Sequence, residues 1–284
     1  MTIRIVTDSV CDIPKATSEA FGITVVPAYV NIGDESYLDG VDLSRRQFYE
    51  GLPHYSTAPT TAAPAPGAFT EVYDRLAAEG AGQILSIHVS SSLSGILNAA
   101  RLGSEATDSV EVQLFDSQQL TMGLGLLAIT AAEGAIAGQT MNEIVATLNK
   151  RVERTYVIGL LDTLEYLRRS GRVNWATFGL GTLLHIKPLL RVHKSEVTML
   201  EKVRTSKRAL IRFLELAGEL GPLENIALLH THVSQQCIQE FQQQTRFLVP
   251  EGIEPLIVEL TPALGAHLGP NGLGIACITR NNIT

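Results

Sequence analysis

Apolar runs of strand length alternate with helix-length stretches through the first half of this 284-residue chain, and that order restricts the fold more than any single motif does. Strands are predicted at Ile3–Thr7, Ile23–Tyr29, Ile84–His88 and Val110–Phe115. Helices are predicted at Lys15–Phe21, Ser44–Leu52, Gly67–Glu79, Ile96–Glu105, Gly123–Ala137 and Met141–Arg154. Such alternation implies a parallel sheet covered on both faces, because parallel neighbours need a crossover between them. The second half starts near Tyr156-Val157-Ile158-Gly159-Leu160 and reads differently. A helix at Thr163–Ser170 precedes a hairpin, Ile186–Val192 and Val197–Val203, around His193-Lys194-Ser195-Glu196. Helix Ser206–Leu220, strand Ile226–His230, helix Ser234–Gln244 and strands Ile253–Glu259 and Gly274–Thr279 follow. The fold expected is α/β, with one α/β domain over residues 1–155 and another over 156–284. The first carries a mainly parallel sheet flanked by helices, the second a mixed sheet.

Composition removes several classes. With 45% hydrophobic and 18% charged residues, the chain is an ordinary globular sequence, not a disordered one. Cys11, Cys237 and Cys277 are scattered and odd in number, so they read as reduced core residues and not as a metal or disulfide framework. Met1–Asp8 runs straight into a strand without signal-peptide anatomy, and a cytoplasmic location is expected. Leu120–Ala137 is apolar, but Glu133 and several glycines interrupt it, which favours a buried helix over a membrane span.

The net charge of −7 is unevenly spread. Residues 1–155 hold 9 basic and 18 acidic side chains, whereas residues 156–284 hold 13 and 11. Lys187, Arg191, Lys194, Lys202, Arg204, Lys207, Arg208 and Arg212 are opposed locally only by Glu196 and Glu201. That stretch reads either as a docking patch for an acidic partner or as a solvated face. Nucleic acid is not expected, since the whole chain would be repelled and no helix-turn-helix or zinc pattern occurs.

Ser90-Ser91-Ser92-Leu93-Ser94-Gly95 sits between the apolar run Ile84–Val89 and the helix starting at Ile96. The first N–H groups of a helix lack internal partners and lie at the positive end of its dipole, so such a turn can hold an anion without a lysine. Ser94 is placed to cap the helix and Gly95 allows close approach to the backbone; the plain alternative is an ordinary cap. Pro59-Thr60-Thr61-Ala62-Ala63-Pro64 reads as a loop stiffened by proline that would hold the Thr61 hydroxyl in place, or as a rigid connector. In Gly265-Ala266-His267-Leu268-Gly269-Pro270-Asn271-Gly272 the glycines suggest positive φ angles, with His267 a donor to an anion or a structural histidine. Gly171 can end the helix before Arg172 and turn that arginine inward. Asp8 and Asp12 could flank a metal, though a strand-end turn capped by Asp is the simpler reading, and none is expected. Gly123-Leu124-Gly125 lies too far beyond the strand for a dinucleotide turn, and His230-Thr231-His232 has no third ligand in spacing.

Taken in order, these segments resemble the DegV family of bacterial fatty-acid-binding proteins. The resemblance spans the whole chain. It rests on Thr7-Asp8-Ser9-x-x-Asp12, Pro59-Thr60-Thr61 with Pro64 and Phe69, and Ser90-Ser91-x-Leu93-Ser94-Gly95. It continues in Asp116-Ser117, Leu167-Arg168-Arg169-Ser170-Gly171-Arg172, Lys187-Pro188-Leu189-Leu190 and Gly265-Ala266-His267-x-Gly269-Pro270. The resemblance implies two α/β domains with a long-chain fatty acid, such as palmitate, between them. It also implies no catalytic machinery and no cofactor, and a carrier role in lipid transport or fatty acid metabolism. A separate fatty acid kinase would receive the acid for phospholipid synthesis. The carboxylate ligands it implies are Thr61 and Ser94, with Gly95 in the same turn and His267 and Arg172 near the head group. Arg204, in Val203-Arg204-Thr205, would belong to the partner-docking surface. Ala62, Leu268 and Asn271 depart from the family pattern, the first two by removing hydroxyls near the head group.

Physical chemistry points the same way. An acyl chain gains about 0.8 kcal/mol per methylene removed from water, so a long tail supplies on the order of 10 kcal/mol before binding costs. Neutral donors then suffice for the head group. Leu120–Ile129 and Phe178–Leu184 are the expected tail-lining segments, with ordinary core as their alternative. No transmembrane segment is expected, and any membrane contact would be transient. The rival reading is a serine hydrolase using Ser94, Asp116 and His267, which occur in α/β-hydrolase order although no Gly-x-Ser-x-Gly elbow is present.

Overall fold

Val6, Ile84, Leu85 and Ile87 are wholly buried on adjacent strands, side chains on both faces alike. Only a sheet covered on two sides buries consecutive residues in this way. The computed structural model describes residues 2–172 and 186–280. From the amino terminus, β1 (Ile3–Asp8) leads through α1 (Lys15–Ala20) to β2 (Ile23–Val26), β3 (Tyr29–Ile32) and β4 (Glu35–Leu38). Helix α2 (Arg45–Gly51) precedes β5 (Thr60–Ala62), α3 (Pro66–Ala78), β6 (Gln83–His88) and α4 (Ile96–Glu105). Next come β7 (Glu111–Asp116), α5 (Thr121–Ile136), α6 (Met141–Val152), β8 (Thr155–Leu160) and α7 (Glu165–Ser170). Strands β9 (Lys187–His193) and β10 (Glu196–Val203) form the predicted hairpin, followed by α8 (Ser206–Gly218) and β11 (Leu223–Thr231). The order closes with α9 (Gln235–Thr245), β12 (Leu256–Glu259), α10 (Pro262–Leu268) and β13 (Gly272–Thr279).

Three sheets result among the described residues. The first, β2-β1-β6-β7, is parallel throughout. The second, β10-β9-β8-β13-β11-β12, is antiparallel except for the β11–β12 pair, and so is mixed. A small antiparallel sheet, β4-β3-β5, completes the set. The architecture is therefore the α/β one read from the sequence, with the parallel sheet in the first half and the mixed sheet in the second.

Helix α5 joins the halves. It touches β1 and β6 of the parallel sheet and β8 and β13 of the mixed one, and Met122, Leu124, Leu127, Ala128 and Ala131 are fully buried. A helix apolar on every face belongs in a core. No helix among the described residues is long and apolar enough to cross a membrane. The glycines of Gly123-Leu124-Gly125 serve this packing: a Cβ at 123 would stand 2.9 Å from Val157 Cγ2, and one at 125 would stand 2.7 Å from the Cys11 carbonyl oxygen. Gly125→Ala should gain about 1 kcal/mol of helix propensity yet lose more, because a backbone oxygen cannot rotate aside. A net destabilisation of about 1–2 kcal/mol is expected in urea unfolding. An unchanged or raised midpoint would refute this packing role.

Three local expectations need correction. The run Ile23–Tyr29 is two strands, since Pro27 lies between β2 and β3 and cannot donate to a ladder. Thr61 lies on a strand and not in a proline-held loop: β5 pairs with β3 through Thr61 opposite Val30. The first half of the glycine-rich tract is the end of helix α10, and of its glycines only Gly269 has a positive φ, 74°, with Asn271 at 63°.

Candidate functional site

Between the two halves lies a cavity whose empty volume is about 1100 Å³, its mouth included. Its walls come from the turn after β1, β5, the turn leading into α4, β8, α7, β9, β10 and α10. Among the described residues that line it, only Thr61, Ser94, His267 and Arg172 have polar side chains; Gly95 lines it too. The rest are aliphatic or glycine, including Val10, Val89, Val157, Leu161, Leu190 and Val197. Four polar side chains on an otherwise apolar enclosure make it a candidate ligand site.

The segments that meet here are far apart in sequence. Thr61 Oγ1 on β5 is 2.9 Å from His267 Nε2 in the last turn of α10. Burial pushes the His267 ring down from 6.5 to about 4, and the Arg172 guanidinium acts in the same direction. The ring is therefore neutral at physiological pH. Arg172 is exposed and follows Gly171, whose φ of 64° terminates α7, so the arginine stands at the mouth.

Ser94 departs from its expected role as N-cap. Gly95 occupies that position without a side-chain cap, and Ser94 Oγ accepts from the Ile96 N–H at 3.3 Å. Its hydroxyl hydrogen is left to donate elsewhere. The other three serines are already bonded to groups of the protein. Ser91 Oγ donates to Asp116 Oδ2 at 2.6 Å. Ser90 Oγ donates to Ser195 Oγ at 2.8 Å, and Ser92 Oγ donates to the Ser195 carbonyl at 3.0 Å. They latch the tip of the β9–β10 hairpin onto the turn that carries Ser94. Lys194 and Ser195, both at positive φ, form that tip.

The hydrolase arrangement does not assemble. Asp116 accepts from Ser91 Oγ and the Gln118 N–H, and His267 Nε2 meets Thr61 instead of Ser94. Of the expected tail-lining stretch Leu120–Ile129, only Leu120 reaches the cavity, the remainder being core. Phe178–Leu184 lies outside the described residues.

Asp8 caps the turn after β1 by accepting from the Val10 N–H at 3.0 Å, and its other oxygen accepts from the Val89 N–H and faces His88 Nδ1. His88 Nε2 contacts Ser86 Oγ at 2.7 Å, and Ser86 meets the Tyr73 hydroxyl at 2.8 Å. None of these four side chains lines the cavity, but Asp8 holds the backbone of Val10 and Val89, which do. Asp12 also binds protein: its Oδ1 accepts from the Thr261 N–H at 2.7 Å. No group of three or more potential metal ligands occurs among the described residues.

The basic stretch is partly neutralised. Lys187 pairs with Asp162, Lys194 with Glu153, and Arg212 with Glu201 and Glu215. Arg204, Lys207 and Arg208 remain exposed where β10 turns into α8.

Fold and cavity together define an α/β protein with a parallel and a mixed sheet and a largely apolar pocket that carries a few polar side chains. A family model described as "Uncharacterised protein, DegV family" matches residues 2–280. A DegV domain-containing protein of Streptomyces coelicolor is 36% identical over 280 residues, covering 98% of this chain and 99% of its own length. A solved DegV family protein from Thermus thermophilus, described by its fatty acid binding, superposes with TM-score 0.89 at 30% identity, over 98% of this chain and 100% of its own. Bacillus subtilis DegV, described as a fatty acid binding protein, gives TM-score 0.88 at 29% identity, with 98% and 100% covered. The chain belongs to the DegV family.

Proposed function

We propose that this protein binds a long-chain fatty acid such as palmitate, with the tail in the cavity and the carboxylate against Thr61 and Ser94. The supporting observation is the cavity itself, whose described lining is apolar apart from those two hydroxyls, His267 and Arg172. With a neutral ring protonated on Nε2, His267 donates to Thr61 Oγ1, and the Thr61 hydroxyl hydrogen is free to donate to a carboxylate oxygen. Ser94, already an acceptor from Ile96, donates to the same head group. The Gly95 backbone at the start of α4 adds the positive end of a helix dipole. Arg172, at the mouth, screens the remaining charge from the apolar interior.

This is a site for holding and not for bond breaking, and the role proposed is that of a carrier. A carboxylate near the mouth stays within reach of a separate enzyme, here a fatty acid kinase. Arg204, Lys207 and Arg208 offer that partner a positive face. The two sequence halves, 1–155 and 156–284, act in this reading as two domains closing on the ligand.

The test compares palmitate with its methyl ester in a displacement titration. Loss of the carboxylate should weaken binding at least tenfold, whereas equal affinity would mean that the polar end does not recognise an acid. His267 supplies a second check. In the unliganded protein its NMR titration should have a midpoint near 4, well below the ordinary 6.5. The unfolded chain binds this proton more readily, so stability should fall as pH drops from about 6.5 towards 4 and be insensitive to this group above that window. Palmitate should move the midpoint upward, because an adjacent anion favours the imidazolium. A downward shift would contradict the proposed contact.

A further inference from the structure

Helix α10 belongs by sequence to the second half, between β12 and β13, but the groups that hold it come from the first. Asp12 Oδ1 accepts from the Thr261 N–H at 2.7 Å, and Asp39 Oδ1 accepts from the Ala263 N–H at 3.2 Å. The second oxygen of each acid is also fixed: Thr121 Oγ1 donates to Asp12 at 2.6 Å, and Ser9 Oγ donates to Asp39 at 2.6 Å. Both carboxyls are buried, at 1% and 2% exposure. Asp12 and Thr121 both sit at positive φ, 56° and 45°, a conformation that a β-branched residue adopts only when its surroundings impose it.

Two buried acids facing one arginine, Arg45 at 3.8 Å from Asp12, are a costly way to cap a helix. Thr261 occupies the N-cap position, yet its side chain makes no cap bond. The Thr261 hydroxyl lies beside Asp39 instead of capping locally, and the helix N–H groups are met by carboxylates more than 220 residues away in sequence. What this arrangement secures is placement. Ala263, whose N–H Asp39 holds, and Leu264 beside it line the cavity, and His267, at the other end of the same short helix, meets Thr61.

We infer that Asp12 and Asp39 are positioning residues for the head-group site, setting through α10 where His267 stands relative to Thr61. The inference rests on the fatty acid reading for its binding consequence but not for its structural one, and the test separates the two. Asp39→Ala should lower palmitate affinity at least tenfold in wild-type background and less than twofold in His267→Ala, because a residue acting through His267 has nothing left to act on. Asp39→Asn, whose amide oxygen can accept the same Ala263 bond, should restore most of the loss. Asp12→Ala and Asp12→Asn should repeat the pattern; if Asp12→Ala does not fold, Thr121→Val loosens the same carboxylate more gently. In the unliganded protein, Asp39→Ala should also shift the His267 ring nitrogen resonances. Unchanged resonances, or a full tenfold loss persisting in His267→Ala, would overturn the positioning role. Should His267→Ala itself bind palmitate normally, the head-group reading fails, and the resonance shift alone decides this inference.

Discussion

Thr61→Val combined with Ser94→Ala will lower palmitate affinity by about two to four orders of magnitude. A hydrogen bond to a charged group is worth about 1.5–3 kcal/mol, and each 1.4 kcal/mol is tenfold. Each single substitution should therefore cost roughly ten- to a hundredfold. The apolar tail contact is untouched by either change, so weak binding of the methyl ester should survive. Thr61→Ser keeps the hydroxyl beside His267 and serves as the control, with affinity expected within a few fold of wild type. Calorimetric titration with palmitate and its ester reads all these values. Retention of wild-type affinity by the double variant would remove the two hydroxyls from the site.

The second large effect is expected at Gly159. Its neighbours on the same strand face, Val157 and Leu161, line the cavity, as does its cross-strand partner Leu190. A Cβ at this position would meet nothing closer than Leu161 Cδ2 at 4.0 Å, so the glycine leaves open space along the tail wall. Gly159→Leu would fill that space. Displacing three or four methylenes forfeits about 0.8 kcal/mol each, which amounts to roughly a hundredfold weaker palmitate binding. A ten-carbon acid should bind as before, and the unliganded protein should unfold at the same or higher denaturant concentration, since an apolar void has been filled. Equal losses for short and long acids would place the tail elsewhere.

The parallel sheet and the β9–β10 hairpin were legible because their signals are local: apolar period, crossover helices and turn residues. Thr61, Ser94, Gly95, His267 and Arg172 were named from the sequence and all line one cavity, although their partners were not foreseen. The strand at Thr61 is not legible locally, because the pairing of β5 with β3 spans some thirty residues and leaves no periodic trace in a three-residue strand. Helix α10 was obscured by its glycines, yet Thr261 followed by Pro262 is a legible start signal, a capping residue with proline at the first helical position. Gly265 fits there because a Cβ would lie 2.7 Å from both Phe48 Cε1 and Tyr49 OH, a contact that only tertiary structure reveals. The serine tract misled for the opposite reason. Four hydroxyls in one turn looked like one anion cradle, whereas three of them bind Asp116 and Ser195, groups that no local pattern brings near. Asp39 carried no sequence signal at all, since its role depends on α10 arriving from the far end of the chain.

Crystallographic difference density for the protein saturated with palmitate is the most direct measurement of where the acid lies. The expected result is an unbranched tube filling the cavity past Gly159, its forked end within about 3 Å of both Thr61 Oγ1 and Ser94 Oγ. A fork turned to solvent, or a cavity left unfilled while palmitate binds at the surface, would contradict the account.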